Sequence, residues 1–165
     1  MSPFIKQTTL CYLKKENKYL MLHRTKKNND SNKNKWIAIG GKFEDKECPE
    51  ECMQREVLEE TGLKVLSWRY AGIVTFVSDI WEEEMMHIFE SSDFEGIETS
   101  TQEGELAWIE SAEINNLHTW AGDKIFFDLM QKEIPFFSLK LRYEGEALKE
   151  VLLNGKIYEL HKKNS

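Results

Sequence analysis

An acidic run that does not fit a simple solvated helix face constrains this chain more than any other feature. Residues 41–63 read GKFEDKECPEECMQREVLEETGL. Within them, 49–61 carries helix signals at both ends. Pro49 suits the first helical position, and Glu50 and Glu51 occupy a first turn where the helix dipole favours negative charge. Gly62 suits the left-handed residue that stops a helix. Cys48 is the expected N-cap, a weaker one than Ser or Thr. On this helix Met53, Glu56, Val57 and Glu60 recur at i, i+3, i+4 and i+7, the strip that a globular helix buries. Carboxylates take two of those positions, and Glu59 lies beside them.

Interleaving carboxylates with Met53 and Val57 is unfavourable unless something resolves the charge. Glu56 and Glu60 repel one turn apart, by about 0.2–0.5 kcal/mol when exposed and more when partly buried. A divalent cation removes the conflict. Hard oxygen donors of this kind suit Mg²⁺ or Mn²⁺, with water and phosphate oxygens completing the shell. Arg55 is spaced to pair with Glu51 one turn back and Glu59 one turn on, which gives it the task of orienting carboxylates. Just upstream, the apolar run KWIAIG ends in Gly40-Gly41, a pair that lets the backbone turn sharply and approach a ligand.

The formal charge of −7, with no basic stripe, argues against duplex nucleic acid as a partner. A polyphosphate still fits if metal ions supply the positive charge. The 165 residues read as one domain, 1–165, and the 41% apolar content supplies a core. No apolar run is long enough to span a membrane, and residues 1–20 lack the pattern of a signal peptide. Cys11, Cys48 and Cys52 form no disulfide or zinc framework. They read as reduced structural thiols in a cytoplasmic protein.

Along the chain, 4–13 and 19–25 read as strands around a polar turn. His23 and, further on, His87 read as structural residues. Residues 26–35 (KKNNDSNKNK) read as a mobile polar loop with solvated lysines. The functional alternative is that Lys27 or Lys35 steers phosphates into the site. After the helix, 64–78 and 85–90 read as strands, 91–104 as a polar loop carrying Glu95, Glu98 and Glu103, and 105–110 as a strand. A short helix is expected over 111–117 and an amphipathic one over 122–132, followed by strands from 136 to 143 and 147 to 153. Mixed strands with two main helices predict an α/β fold, a mixed sheet between helical layers.

Residues 41–63 resemble the Nudix signature at every fixed position: Gly41, Glu47, Arg55, Glu56, Val57, Glu59, Glu60, Gly62 and Leu63. The order KWIAIGGKFE, AGIVTF, MMHIF, ELAWIE and TWAGDKIFFDLMQK extends the likeness over nearly the whole chain. It is similar to the MutT group, the 8-oxo-dGTP diphosphatases. That resemblance implies the Nudix α/β/α sandwich. It implies metal held by Glu56, Glu59 and Glu60, with the carbonyl of Gly40, with Glu103 from a later loop, and with Glu47 in support. It also implies Mg²⁺-dependent attack of water on the phosphate chain of a nucleoside triphosphate, releasing the monophosphate and pyrophosphate. Glu59 is a candidate base, and between a base and a ligand spacing does not choose.

For the nucleobase, the resemblance maps a stacking tryptophan to Trp120 and the second of two acids to Asp123. Gly122 stands where the first acid would be, and Ile37 stands where an asparagine reads the base. Trp120 lies in a polar stretch and is expected to be partly exposed. Purine stacking is expected, with weaker discrimination for 8-oxoguanine than an asparagine and an acid pair would give. Gly41 and Lys27 complete the expected substrate contacts. The alternatives are a Nudix hydrolase of a dinucleoside polyphosphate or nucleotide sugar, and a non-catalytic ligand sensor. Monomer and homodimer both remain open.

Overall fold

The computed structural model describes residues 5–25, 30–99 and 104–158, so Lys27 and Glu103 lie outside the described residues. The sheet is built on β1 (Lys6–Lys15). Its residues alternate between two cores, as period-two side-chain geometry requires. Cys11 and Leu13 face a core shared with Met53 and Val57 of α1 (Pro49–Thr61). Tyr12 faces the opposite core, against Phe126 and Phe127 of α2 (Asp123–Gln131). A strand buried on both faces between two helices is the expected sandwich, with the sheet as its middle layer.

β1 has three neighbours. β6 (Glu84–Gly96) runs parallel to it, with Thr8 opposite Met86. β4 (Ile39–Lys42) runs antiparallel, with Thr9 opposite Gly41 and Leu10 opposite Gly40. β2 (Lys18–Arg24) folds back from the far end and pairs with β3 (Trp36–Ile37) and β7 (Gly104–Glu110). On the other side, β5 (Leu63–Ser78) pairs antiparallel with β6 and parallel with β8 (Phe137–Glu144). β9 (Ala147–Leu153) and β10 (Lys156–Ile157) close that edge. A 3₁₀ helix spans Ser111–Asn116, where a short helix was expected. Among the described residues no helix is long and apolar enough to cross a membrane.

α1 has the expected bounds. Cys48 is extended at its N-cap, and Glu51 reaches back to accept from the Cys48 backbone N–H at 3.0 Å. Gly62 ends the helix at φ 78°, and a Cβ there would meet the Ile97 carbonyl at 2.6 Å. Cys11 and Cys52 are buried thiols, whereas Cys48 is exposed at the cap. His87 is buried and accepts a hydrogen bond from, or donates one to, the Tyr70 hydroxyl. Its other nitrogen lies 2.7 Å from Gln7 Oε1. His23 stacks on Trp36, with ring centroids 4.6 Å apart.

Two polar segments depart from the sequence reading. Residues 91–96, expected in a loop, continue β6, with Phe94 opposite Val65 and Gly96 opposite Leu63. The early part of β5 needs a partner for its backbone groups, and the Ser91 hydroxyl helps by donating to the Ser67 carbonyl at 2.6 Å. Residues 30–35, expected to be mobile, form a tied turn. Arg24 Nε donates to Asp30 at 2.9 Å, Asp30 accepts the Asn32 N–H at 3.2 Å, and the Lys35 N–H donates to the Asn32 carbonyl at 2.8 Å. Lys35 is not solvated either. It is 3% exposed, with its ammonium over the Trp120 ring and 2.8 Å from Glu146. That placement takes it away from phosphate steering.

Candidate active site

α1 presents Met53 and Val57 to the core, and Glu60 follows them to 7% exposure. Glu56 and Glu60 reach a cleft of about 550 Å³, whose opposite wall is the β1–β4 pair. Gly40 and Gly41 line it. A Cβ on Gly41 would sit 2.5 Å from the Glu56 carboxyl carbon, so only glycine lets this backbone lie against that carboxylate. A Cβ on Gly40 would overlap the Thr9 carbonyl of the paired strand at 1.7 Å.

Arg55 organises the neighbouring acids. Its guanidinium donates to both oxygens of Glu47, at 2.6 and 2.9 Å, to Glu56 at 2.9 Å and to Glu59 at 3.2 Å. It also donates to the Lys42 carbonyl at 3.0 Å, which ties helix to β4. The expected pairing with Glu51 is absent from this set, because Glu51 is occupied by the cap. The fork geometry of arginine explains the difference: Glu47, on the loop, offers a two-oxygen acceptor that a residue one turn back does not. The hydrogen bond from Arg55 holds the Glu47 carboxyl below its ordinary range. Glu59 stays half-exposed at the rim. Among the described residues no three acidic, histidine or cysteine side chains converge on a ready-made metal cluster.

A small recess of about 60 Å³ opens from this cleft, sharing Leu10, Ser31, Asn32, Ile37, Phe76 and Glu84 with it. Trp120, Asp123 and Tyr143 form its inner wall. Its size suits the edge of a flat ring, and the wider cleft suits a phosphate chain. Trp120 is only 5% exposed, not partly exposed as its polar neighbours suggested. Phe76 and Tyr143 pack edge-on to it, and its Nε1–H donates to Asn32 Oδ1 at 3.0 Å. Burial pushes the Asp123 carboxyl up to about 8 against the pull of Lys35, so at neutral pH it carries a proton. Gly122 has no room for an acid: a Cβ there would lie 2.4 Å from Leu141 Cδ1 and 2.7 Å from the Tyr143 hydroxyl. That hydroxyl accepts the Gly122 N–H at 2.8 Å.

The structure therefore gathers Gly40, Gly41, Ile37, Glu56 and Glu60 around one cleft. Arg55, Glu47 and Glu59 are linked to it through Glu56, and Trp120 and Asp123 sit in its recess. The sequence reading missed Asn32, Glu84 and Tyr143. Asn32 lay in a run of lysines and asparagines that read as solvated, and only the Arg24–Asp30 pairing would have marked the turn. A larger groove of about 700 Å³, bounded by Lys14, Phe94, Glu98 and Trp108, touches none of the signature glutamates. The smaller cleft, which Glu56 and Glu60 line, is the candidate site.

The NUDIX domain model matches residues 5–130. The chain belongs to the Nudix family. An uncharacterised Nudix hydrolase, YvcI of Bacillus subtilis, is 31% identical over 134 residues, 78% of this chain and 81% of the relative. An oxidized purine nucleoside triphosphate hydrolase of Danio rerio is 31% identical over 128 residues, 76% of this chain and 79% of the relative. Among solved structures, a MutT protein of Bacillus halodurans superposes with a TM-score of 0.81 at 26% identity, covering 92% of this chain and 99% of the other. Nudix hydrolases generally require a divalent metal ion. The donor set here fits one: Glu56 and Glu60 are hard oxygen donors one turn apart that line the same cleft.

Proposed function

We propose that this Nudix protein hydrolyses purine nucleoside triphosphates, oxidised ones such as 8-oxo-dGTP above all, to the monophosphate and pyrophosphate, and so cleanses the nucleotide pool. The observation that carries this reading is the continuity of two unlike spaces. A cleft lined by Glu56 and Glu60 opens directly onto an aromatic recess holding Trp120 and a protonated Asp123. Relatives described as oxidized purine nucleoside triphosphate hydrolases, at 30–31% identity, support the substrate class. The reading takes 1–165 as one domain, because β8, beyond the matched segment, supplies Leu141 and Tyr143 to the recess.

In this reading Glu56, Glu59 and Glu60 hold Mg²⁺ or Mn²⁺, with Gly40 and Glu47 in support. When bound, the metal neutralises phosphate oxygens and acidifies the attacking water. The water oxygen bonds to the β-phosphorus as the bridging bond to the α-phosphate breaks. The bridging oxygen leaves on the monophosphate, and pyrophosphate carries the new oxygen. Arg55 keeps Glu47, Glu56 and Glu59 oriented, and Glu59 either holds the metal or accepts the water's proton. Gly40 and Gly41 line the cleft in which the phosphate chain would lie. Trp120 and Asp123 take the base edge, so most of the protein's contribution is positioning and charge.

A nucleotide panel with Mg²⁺ or Mn²⁺, its products identified by chromatography, tests the proposal. Fastest turnover is expected for 8-oxo-dGTP, then other purine triphosphates, then pyrimidines. Faster turnover of a dinucleoside polyphosphate or nucleotide sugar would reassign the substrate. No phosphate release from any of them would favour a ligand sensor.

A further inference from the structure

The recess contains one polar side chain whose hydrogen-bonding sense is settled by its neighbour. A tryptophan Nε1–H can only donate, so the Asn32 amide must turn its oxygen to Trp120. Its Nδ2 group, a pure donor, is then left for other partners, and Asn32 lines both the phosphate cleft and the recess. Neither the amide nor its backbone is loose. Asp30 accepts the Asn32 N–H and is itself held by Arg24, both side chains being 13% exposed. The Asn32 carbonyl accepts from Lys35.

We propose that Asn32 selects 6-keto purines over 6-amino purines, its Nδ2–H donating to the exocyclic oxygen at position 6 of the base. This rests on the purine triphosphate reading above and adds the residue that reads the edge. The substituent at position 6 borders both hydrogen-bonding edges of a purine, so it is presented whichever edge enters. A keto oxygen accepts from Nδ2, whereas an amino group opposes donor to donor. Asp123 does not make this choice. A protonated carboxyl donates through its O–H and accepts through its C=O, so it matches either substituent. Ile37 has no polar atom to offer. The Tyr143 hydroxyl accepts the Gly122 N–H with one lone pair and keeps a proton and a second lone pair, so it too matches either substituent.

The test compares kcat/KM for substrate pairs that differ at position 6: dITP against dATP, and dGTP against the triphosphate of 2,6-diaminopurine deoxyriboside. The wild type should favour the keto member of each pair by about ten- to a hundredfold. Asn32→Asp keeps an oxygen for Trp120 and replaces the donor with an acceptor, so it should lower or invert both ratios. Asn32→Ala should bring both ratios towards one. Thermal unfolding identifies any variant that fails to fold, and Asn32→Ser, which still favours the turn, then takes its place with the same expected flattening. A wild type indifferent to position 6 overturns the inference, as do folded variants with unchanged ratios. In both cases purine triphosphate hydrolysis persists and the wider reading stands. Absence of purine triphosphate hydrolysis in the wild type overturns both.

Discussion

The two ends of the active-site cleft are built in opposite ways. At the proposed metal end, Gly41, Glu47, Arg55, Glu56, Glu59 and Glu60 come from one stretch of 23 residues, 41–63, and one helix sets the spacing of the last four. At the proposed base end, Asn32, Phe76, Glu84, Trp120, Asp123 and Tyr143 come from the 30–35 turn, β5, β6, the α2 region and β8. Chemistry that depends on fixed distances between charges is encoded locally, where a helix guarantees geometry. Recognition is assembled across the sheet, where single substitutions change the pocket without touching the reaction. The contrast predicts that damage at the metal end removes turnover, whereas damage at the base end redistributes it among substrates.

The largest effect should come from Glu56→Gln or Glu60→Gln. Either should lower kcat by about 10²–10³-fold, while thermal unfolding in metal-free buffer shows a fold retained or slightly stabilised by relief of the carboxylate repulsion. Near wild-type turnover at saturating Mg²⁺ would remove these residues from the metal end. Arg55→Lys keeps the charge but loses the fork that holds Glu47, Glu56 and Glu59 together. A fall of about 10–100-fold in kcat is expected, seen in steady-state kinetics across every substrate alike. A loss confined to one base would break the contrast.

At the base end, the pH profile is the sharper probe. Burial raises the Asp123 carboxyl to about 8, so in the proposed reading the donor it offers the base is lost as pH rises past that value. kcat/KM for 8-oxo-dGTP should therefore fall above that pH, about tenfold by pH 9. Asp123→Asn, neutral throughout, should abolish that fall. Stability follows the same proton. The folded state holds it between the ordinary value of 3.8 and about 8, where the unfolded chain has lost it, so stability declines as pH rises through that window. Thermal melts of wild type and Asp123→Asn between pH 5 and 9 should diverge in that sense. The smallest effect on turnover is expected from Gly122→Ala. Its methyl would crowd Leu141 and the Tyr143 hydroxyl, costing about 1–3 kcal/mol of stability in a denaturant titration with kcat little changed.

What could be read from the sequence follows the same division. The helix from Pro49 to Thr61, its glycine stop and its inward glutamates were legible because period, caps and charge all lie within one turn or two of each other. The alternation of Phe137, Leu139, Leu141 and Tyr143 in β8 was legible for the same reason. The 30–35 turn was not. Its order comes from Asp30 meeting Arg24 on β2 and from Lys35 reaching Trp120 and Glu146, contacts invisible to local polarity. Likewise 91–96 became strand because β5 supplied a partner, overriding a run of Ser, Asp and Glu. Trp120 was misjudged because its neighbours in sequence are polar while its neighbours in space are Phe76 and Tyr143.

β1 runs between the two cores. Thr8 to Cys11 are paired with both β4 and β6, and Cys11, Tyr12 and Leu13 lie between the two apolar cores, so water reaches the backbone of those three only when the layers separate. Deuterium uptake at Cys11 to Leu13 therefore reports the opening of the whole domain and not of any one loop. The same strand carries Thr9 and Leu10 against Gly40 and Gly41, so the wall of the candidate cleft is anchored to the segment that opens last.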